Sequence, residues 1–257
     1  MNYERPGSIE AAVSAAGAGG DIAYLAGGHT LIPAMKARLR DPEALVDLAG
    51  VEGLRGIETE AGRLWVGAMT THSEVERGAT AIPALSKMAS LIGDPQVRAR
   101  GTLGGALANN DPAADYPAAV LALDAVIETD RASHAADEFF QGMFFTALEE
   151  GELIRRVGFR IPQRAAYAKF RHPASRYALA GVFAAQFEDG WRVAVTGAGG
   201  DGVFRWSAAE EALARGGDAA SVPAPDAAGM GSDIHASAEY RAHLCTVMLK
   251  QAAGELS

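Results

Sequence analysis

The sequence predicts an α+β fold in two parts, and three observations predict it. Short apolar runs of strand length alternate with stretches of helical apolar spacing through the first two thirds of the chain. The glycines, 30 in 257 residues, fall mostly at the joints between these runs. From Ala166 onward longer strands come first and helices after, the pattern of a separate, small α+β domain with an antiparallel sheet. The boundary is placed at Pro162-Gln163-Arg164, giving domains 1–163 and 164–257.

Each element has a local reason. Residues 8–16 have helical spacing, open at a serine N-cap with Glu10 in the first turn, and are stopped by Gly17, Gly19 and Gly20. Residues 22–25 read as a short buried strand that runs through Ala26-Gly27-Gly28-His29-Thr30-Leu31-Ile32 into the helix formers of 33–39. Residues 44–48 are extended, and 54–58 with 64–67 make a hairpin around Gly62. Helices follow at 71–77 and 83–92, then a glycine-bearing polar loop at 101–115, a helix at 117–123 and strands at 125–129 and 153–161. The second part has strands at 167–171, 178–187, 191–196 and 203–206, with Asp189-Gly190 as a tight hairpin turn. Its helices lie at 207–215 and 236–253, linked by the Ala-, Pro-, Asp- and Gly-rich stretch 216–232.

Composition excludes several classes of function. With 23 Lys and Arg against 32 Asp and Glu, the net charge of −9 opposes a general nucleic-acid binder, which needs clustered cations for phosphate. A lone cysteine, Cys245, supplies neither a disulfide nor the thiolates of an iron–sulfur cluster or structural zinc site, so redox chemistry here must come from an organic cofactor or a partner. No run approaches the roughly 20 apolar residues of a membrane span. Residues 1–10 are mixed polar, and the expectation is an unprocessed, cytoplasmic chain.

Three glycine clusters compete for a cofactor role. Ala26-Gly27-Gly28-His29-Thr30 joins a strand to a helix, where bare backbone can approach a pyrophosphate; a plain strand-to-helix turn fits the same residues. Thr102-Leu103-Gly104-Gly105 precedes an Asp111 to Asp115 turn whose carboxylates suit a ribose or simply a loop. Gly197-Ala198-Gly199-Gly200-Asp201-Gly202 spells the dinucleotide fingerprint G-x-G-x-x-G, yet the residues after it, Val203-Phe204-Arg205-Trp206, favour a strand where the fingerprint needs a helix. It is read as a hairpin loop.

The first two clusters carry a family resemblance. The run Ala26-Gly27-Gly28-His29-Thr30-Leu31-Ile32-Pro33-Ala34-Met35-Lys36-Ala37-Arg38-Leu39 resembles the first flavin loop of the medium, FAD-binding subunits of molybdenum hydroxylases, the xanthine dehydrogenase and aerobic carbon monoxide dehydrogenase group. Residues 92–98, Gly101-Thr102-Leu103-Gly104-Gly105 and 110–117 resemble the second loop, and similarity continues at 64–72, 152–154, 167–170 and 236–244. The resemblance implies a two-lobed FAD-binding domain of the PCMH or vanillyl-alcohol-oxidase type, with lobes of about 1–53 and 54–163, and a carbon monoxide dehydrogenase flavoprotein-like C-terminal domain.

It also implies roles. The backbone of Ala26, Gly27, Gly28, His29 and Thr30 would wrap the FAD pyrophosphate, with Leu31 and Ile32 continuing the contact. Thr102, Gly104 and Gly105 would approach the phosphates, Asp115 the ribose or adenine side, and Ile92 and Gly93 the flavin pocket. Leu153 or Ile154 would meet the adenine or flavin end, Lys169 would stand near the flavin, where a cation stabilises a reduced anionic ring, and Tyr177 would cover the isoalloxazine. Ala106 departs from an asparagine common in relatives, and a cluster-bearing cysteine insertion of some relatives is missing from the sequence. No catalytic residue and no metal ligand is expected on this chain. The implied partners are a small subunit with two [2Fe-2S] clusters and a large molybdopterin subunit, in a dimer of heterotrimers (a heterohexamer), with electrons leaving FAD for an acceptor such as NAD or a quinone. A free-standing flavin oxidoreductase with its own small substrate, and a scaffold that lost its cofactor, are the alternatives.

Other candidates read structurally. His235, His243 and Cys245 lack a zinc spacing, Trp191 and Trp206 suit core or interface positions, and Arg98 and Arg100 suit a solvated or docking surface.

Overall fold

The computed structural model describes residues 1–17 and 19–256. Strands β1 (Asn2–Glu4), β2 (Ile22–Leu25) and β3 (Ala44–Asp47) form a parallel sheet in the order β1-β3-β2. Helix α1 (Ile9–Ala16) is the crossover, capped by the Ser8 side chain accepting from the Ala11 amide, and it buries Ala12 against Val46, Leu48 and Leu54. The short helix α2 (Leu31–Lys36) follows the first glycine loop.

The second sheet is antiparallel. Strands β4 (Ile57–Glu60) and β5 (Arg63–Gly67) make the predicted hairpin, β6 (Val126–Thr129) and β7 (Ser133–Ala135) another; after the small ribbon β8 (Phe140–Gly142) and β9 (Phe145–Thr146), β10 (Ile154–Arg160) returns to the centre, giving β4-β5-β10-β6-β7. Between β5 and β6 lie the helices α3 (His72–Gly78), α4 (Pro83–Ser90), α5 (Pro95–Arg100), α6 (Leu103–Asn109) and α7 (Tyr116–Ala122); α8 (Ala136–Phe139) is a single turn after β7.

The third sheet, β11 (Arg164–Arg171), β12 (Ala178–Phe187), β13 (Gly190–Thr196) and β14 (Phe204–Arg205), is antiparallel in sequence order. One face receives α4 and α7, so that Leu85, Val120, Tyr167 and Phe183 share one core with the second sheet. The other face is covered by α9 (Ser207–Ala214) and α10 (Ala238–Glu255), around Val182, Val193, Leu244, Cys245 and Leu249. Coverage on both faces explains why β12 is apolar almost without alternation. Among the described residues, no helix is long and apolar enough to cross a membrane.

Two readings change. The stretch 101–115 is not all loop: α6 opens at Thr102, whose side chain accepts from the Gly105 amide, and closes at Asn110 in the left-handed region, because burying Leu103 and Leu107 outweighs the poor helix propensity of Gly104-Gly105. The β12–β13 turn is Glu188-Asp189, since Phe187 pairs with Gly190. The fingerprint-like third glycine cluster is the loop between antiparallel β13 and β14, as its flanking residues predicted.

Candidate functional site

A cleft of about 820 Å³ lies where the parallel sheet meets the helical layer, a size suited to an organic cofactor. Its walls bring together Ala26, Gly27, Gly28, His29, Thr30 and Leu31 from the first loop, Thr102, Gly104 and Gly105 from the second, and Ile92, Gly93, Asp115, Ile154 and Tyr177. Three residues singled out in the sequence lie off these walls. Ile32 packs its Cδ1 over Gly28, at 2.7 Å from where a Cβ would stand. Leu153 joins the small core under α1, while its neighbours Glu152 and Ile154 line the cleft. The Lys169 ammonium is buried behind the wall, 2.9 Å from Asp115 and donating also to the Leu91 carbonyl.

The first loop follows β2 directly. Gly27 sits so close to the second loop that a Cβ there would lie 2.3 Å from the Arg100 carbonyl oxygen and 2.8 Å from Gly101 Cα. Gly28 takes φ +77°, a region that side chains other than glycine rarely adopt. Among the described residues, no hydrogen bond uses the backbone amides of Gly27, Gly28, His29 or Thr30. Consecutive unengaged amides on a cleft wall form an anion-binding concavity.

The second loop is built differently. Residues 68–72 run beside it, so that Gly104 donates to the Ala68 carbonyl at 2.8 Å and Leu103 to that of Thr70 at 3.1 Å, while Gly105 donates to Thr102 Oγ1 at 3.2 Å. Its start is tied by the His72 amide donating to the Gly101 carbonyl, and its end by Asp115. The Asp115 carboxylate accepts from the Tyr167 hydroxyl and from Lys169. Burial pushes its titration upward, against the pull of the Lys169 ammonium and the two hydrogen bonds.

Sequence reading missed several wall residues. His72, at the start of α3, is buried with its ring against Gly101; burial, with His29 and Arg98 nearby, lowers its pKa to about 4, so it is neutral near pH 7. Its ring centroid is 5.3 Å from that of Tyr116, another wall residue. Glu152 accepts from Thr129 Oγ1 at 2.5 Å and from the Glu149 amide at 2.8 Å, with His134 Nε2 3.2 Å away. Tyr24, whose hydroxyl donates to the Gly151 carbonyl, has its pKa pushed up to about 12 by burial. Over the mouth, Arg176 donates to the Gly93 carbonyl at 3.1 Å beside the half-exposed Tyr177. None of these announces itself locally, since each depends on contacts distant in sequence.

The cleft suits FAD on its own features: a loop of unengaged amides for a pyrophosphate, bare glycine backbone for close approach, and the half-exposed Tyr177 ring among its walls. Comparison with known proteins agrees. Residues 1–164 match the family described as the FAD binding domain in molybdopterin dehydrogenase. The carbon monoxide dehydrogenase medium chain of Afipia carboxidovorans is 36% identical over 274 residues, covering 98% of this chain and 95% of that one. The nicotine 6-hydroxylase medium subunit of Paenarthrobacter nicotinovorans is 33% identical, with 98% of this chain and 95% of that one covered. Quinoline 2-oxidoreductase from Pseudomonas putida 86 superposes with a TM-score of 0.91 at 29% identity, over 100% of this chain and 96% of that chain. The chain therefore belongs to the FAD-binding family of the molybdopterin dehydrogenases, and its cofactor is FAD.

Proposed function

We propose that this chain is the electron-transferring medium subunit of a molybdenum hydroxylase complex, with an iron–sulfur small subunit and a molybdopterin large subunit in a dimer of heterotrimers. Electrons pass from the [2Fe-2S] clusters of the small subunit through FAD to an external acceptor such as NAD or a quinone, and substrate oxidation takes place on the large subunit. The observation that carries this reading is the unengaged amide loop Gly27 to Thr30 on the wall of the cleft. The medium-chain and medium-subunit names of the relatives support the partners.

When bound, FAD supplies a carrier that links single-electron centres to a two-electron acceptor. The protein's part is to hold it. The first loop binds the pyrophosphate, Thr102, Gly104 and Gly105 let the cofactor approach α6 closely, Ile92, Gly93 and Tyr177 wall the flavin end, and Ile154 the other. Asp115 faces the cofactor, and Lys169 and Tyr167 fix its position from the C-terminal sheet. That sheet belongs to the proposed 164–257 domain and braces the 1–163 domain through this contact.

The purified chain should carry one flavin with its visible absorption, and Gly27→Val should lose it: the Cβ would collide with the Arg100 carbonyl and part the two loops, raising the Kd for FAD at least about 100-fold, or roughly 2.7 kcal/mol. Stoichiometric flavin in that variant would refute the loop assignment. Rapid turnover of a small substrate by the isolated chain would favour the free-standing oxidoreductase instead.

A further inference from the structure

The chain carries a net charge of −9, yet residues 22–40 contain no Asp or Glu and end in the basic run Lys36-Ala37-Arg38-Leu39-Arg40. Arg40 lines the cleft and pairs with Asp21 at 3.3 Å. Lys36 and Arg38 are exposed, stand off the cleft walls, and make no side-chain hydrogen bond or ion pair among the described residues. The same holds for the exposed Arg100, whose backbone packs against Gly27. Three unpaired cations therefore flank the first loop without lining the cofactor space. Apolar side chains stand among them. Helix α2 buries none of its residues, and Ile32 is 40% exposed. The helix ends in a two-bond turn, with the Arg38 amide donating to the Met35 carbonyl at 3.0 Å, the Leu39 amide to that of Ala34 at 2.8 Å, and Arg38 at φ +58°, where glycine is usual. An apolar residue in the place of Leu39 ordinarily packs back onto its helix; Leu39 is 78% exposed.

We propose that α2 and the turn after it, with Arg100 beside them, form the docking face for the iron–sulfur small subunit, whose matching surface is apolar at its centre, to take Leu39, and lined with carboxylates at its rim, to meet Lys36, Arg38 and Arg100. The assignment rests on the function proposed above and adds a place of contact to it. An apolar anchor within a charged rim is the ordinary anatomy of a protein interface. Charge selects the occupant. In a two-fold pair of copies of this chain the same cations would face one another. A lipid surface calls for a longer amphipathic helix with aromatic anchors, whereas α2 has 6 residues and positions 31–40 hold no aromatic residue. Of the two partner subunits, the one that delivers electrons has to approach FAD, and this face adjoins the loop assigned to the pyrophosphate.

The full-length chain would be titrated by calorimetry with the purified small subunit and, separately, with the large one. Leu39→Asp should weaken binding of the small subunit at least about 10-fold. Lys36→Glu/Arg38→Glu should weaken it by a similar factor and flatten its dependence on salt, because rim charges act through a screened attraction. These side chains are exposed, so the variants should melt at the wild-type temperature. Lys250→Glu, a charge change of the same sign on α10, should leave the affinity unchanged; an equal loss there would reveal a general charge effect and overturn the assignment. It would be overturned equally by variants that bind the small subunit as tightly as wild type, by a loss confined to the large subunit, by self-association of the chain that Leu39→Asp abolishes, or by wild-type binding to phosphatidylglycerol vesicles that the variants lose. Wild-type protein that binds neither subunit would overturn the complex reading itself, which separates the two failures.

Discussion

The two glycine loops of the cleft are alike in composition and opposite in construction. In the first, the amides of Gly27 to Thr30 are unengaged, and Thr30, which precedes α2, makes no side-chain cap bond. In the second, Leu103 and Gly104 donate to the 68–72 segment, Thr102 caps its helix, and Asp115 is fixed by Lys169 and Tyr167. Glycine allows close packing in both, at Gly27 against Arg100 and at Gly104 against Ala68, but only the first loop leaves its amides unengaged. The consequence is a division of labour: the first loop leaves its amides free on the cleft wall, for the cofactor in the function proposed above, whereas the second is bonded within the protein.

That distinction places the largest mutational effect behind the second loop. Lys169→Met leaves the Asp115 carboxylate buried without its cation, both side chains being almost fully inaccessible at 1% and 4% exposure. The apoprotein should lose about 3–5 kcal/mol in a urea melt, and the double variant Lys169→Met/Asp115→Asn should lose less. A Lys169→Met apoprotein as stable as wild type would show that the second loop is not anchored by its own bonds.

A smaller effect concerns the floor beneath both loops. Burial, then His29 and Arg98, depress the His72 pKa from 6.5 to about 4. Below pH 6.5 the unfolded chain takes up a proton that the native chain refuses, so the stability from neutral His72 is complete above pH 6.5 and is lost as pH falls toward 4. The shift corresponds to roughly 3 kcal/mol over that window. Stability curves of wild type and His72→Asn, measured without FAD, should converge in slope except between those values; parallel curves throughout would place His72 in contact with water.

The first loop was legible because strand, glycines and helix formers are contiguous, and the rejection of the third cluster because Val203 to Trp206 carry a strand signal. The helix inside the second loop was hidden: Gly104-Gly105 argues locally against it, and only burial of Leu103 and Leu107 reverses that preference. Strand β1 is exposed and three residues long, and exists through parallel pairing with β3, which no local pattern encodes. The β8–β9 ribbon turns with Phe144 at φ +61° rather than with a glycine, held by Asn110, whose side chain donates to the Gly142 and Phe145 carbonyls. His72 carries no local signal of its burial: it follows Thr71 at the start of α3, and its ring packs beside Gly101 and Tyr116, both distant in the chain.

The smallest effect tests the contrast most directly, because it makes the same substitution in both loops. Thr102 Oγ1 accepts from the Gly105 amide at 3.2 Å, and Thr102→Ala should cost the apoprotein about 1 kcal/mol, the usual value of an N-cap. Thr30→Ala removes no cap bond, so the apoprotein should stay within about 0.5 kcal/mol of wild type in a thermal melt. With FAD bound the order should narrow, since the stability a ligand adds rises with its affinity and Thr30 sits on the loop proposed to make the contact. Equal losses in the two apoproteins would mean that the first loop is as self-supporting as the second, and the unengaged amides of Gly27 to Thr30 would then need an explanation other than FAD.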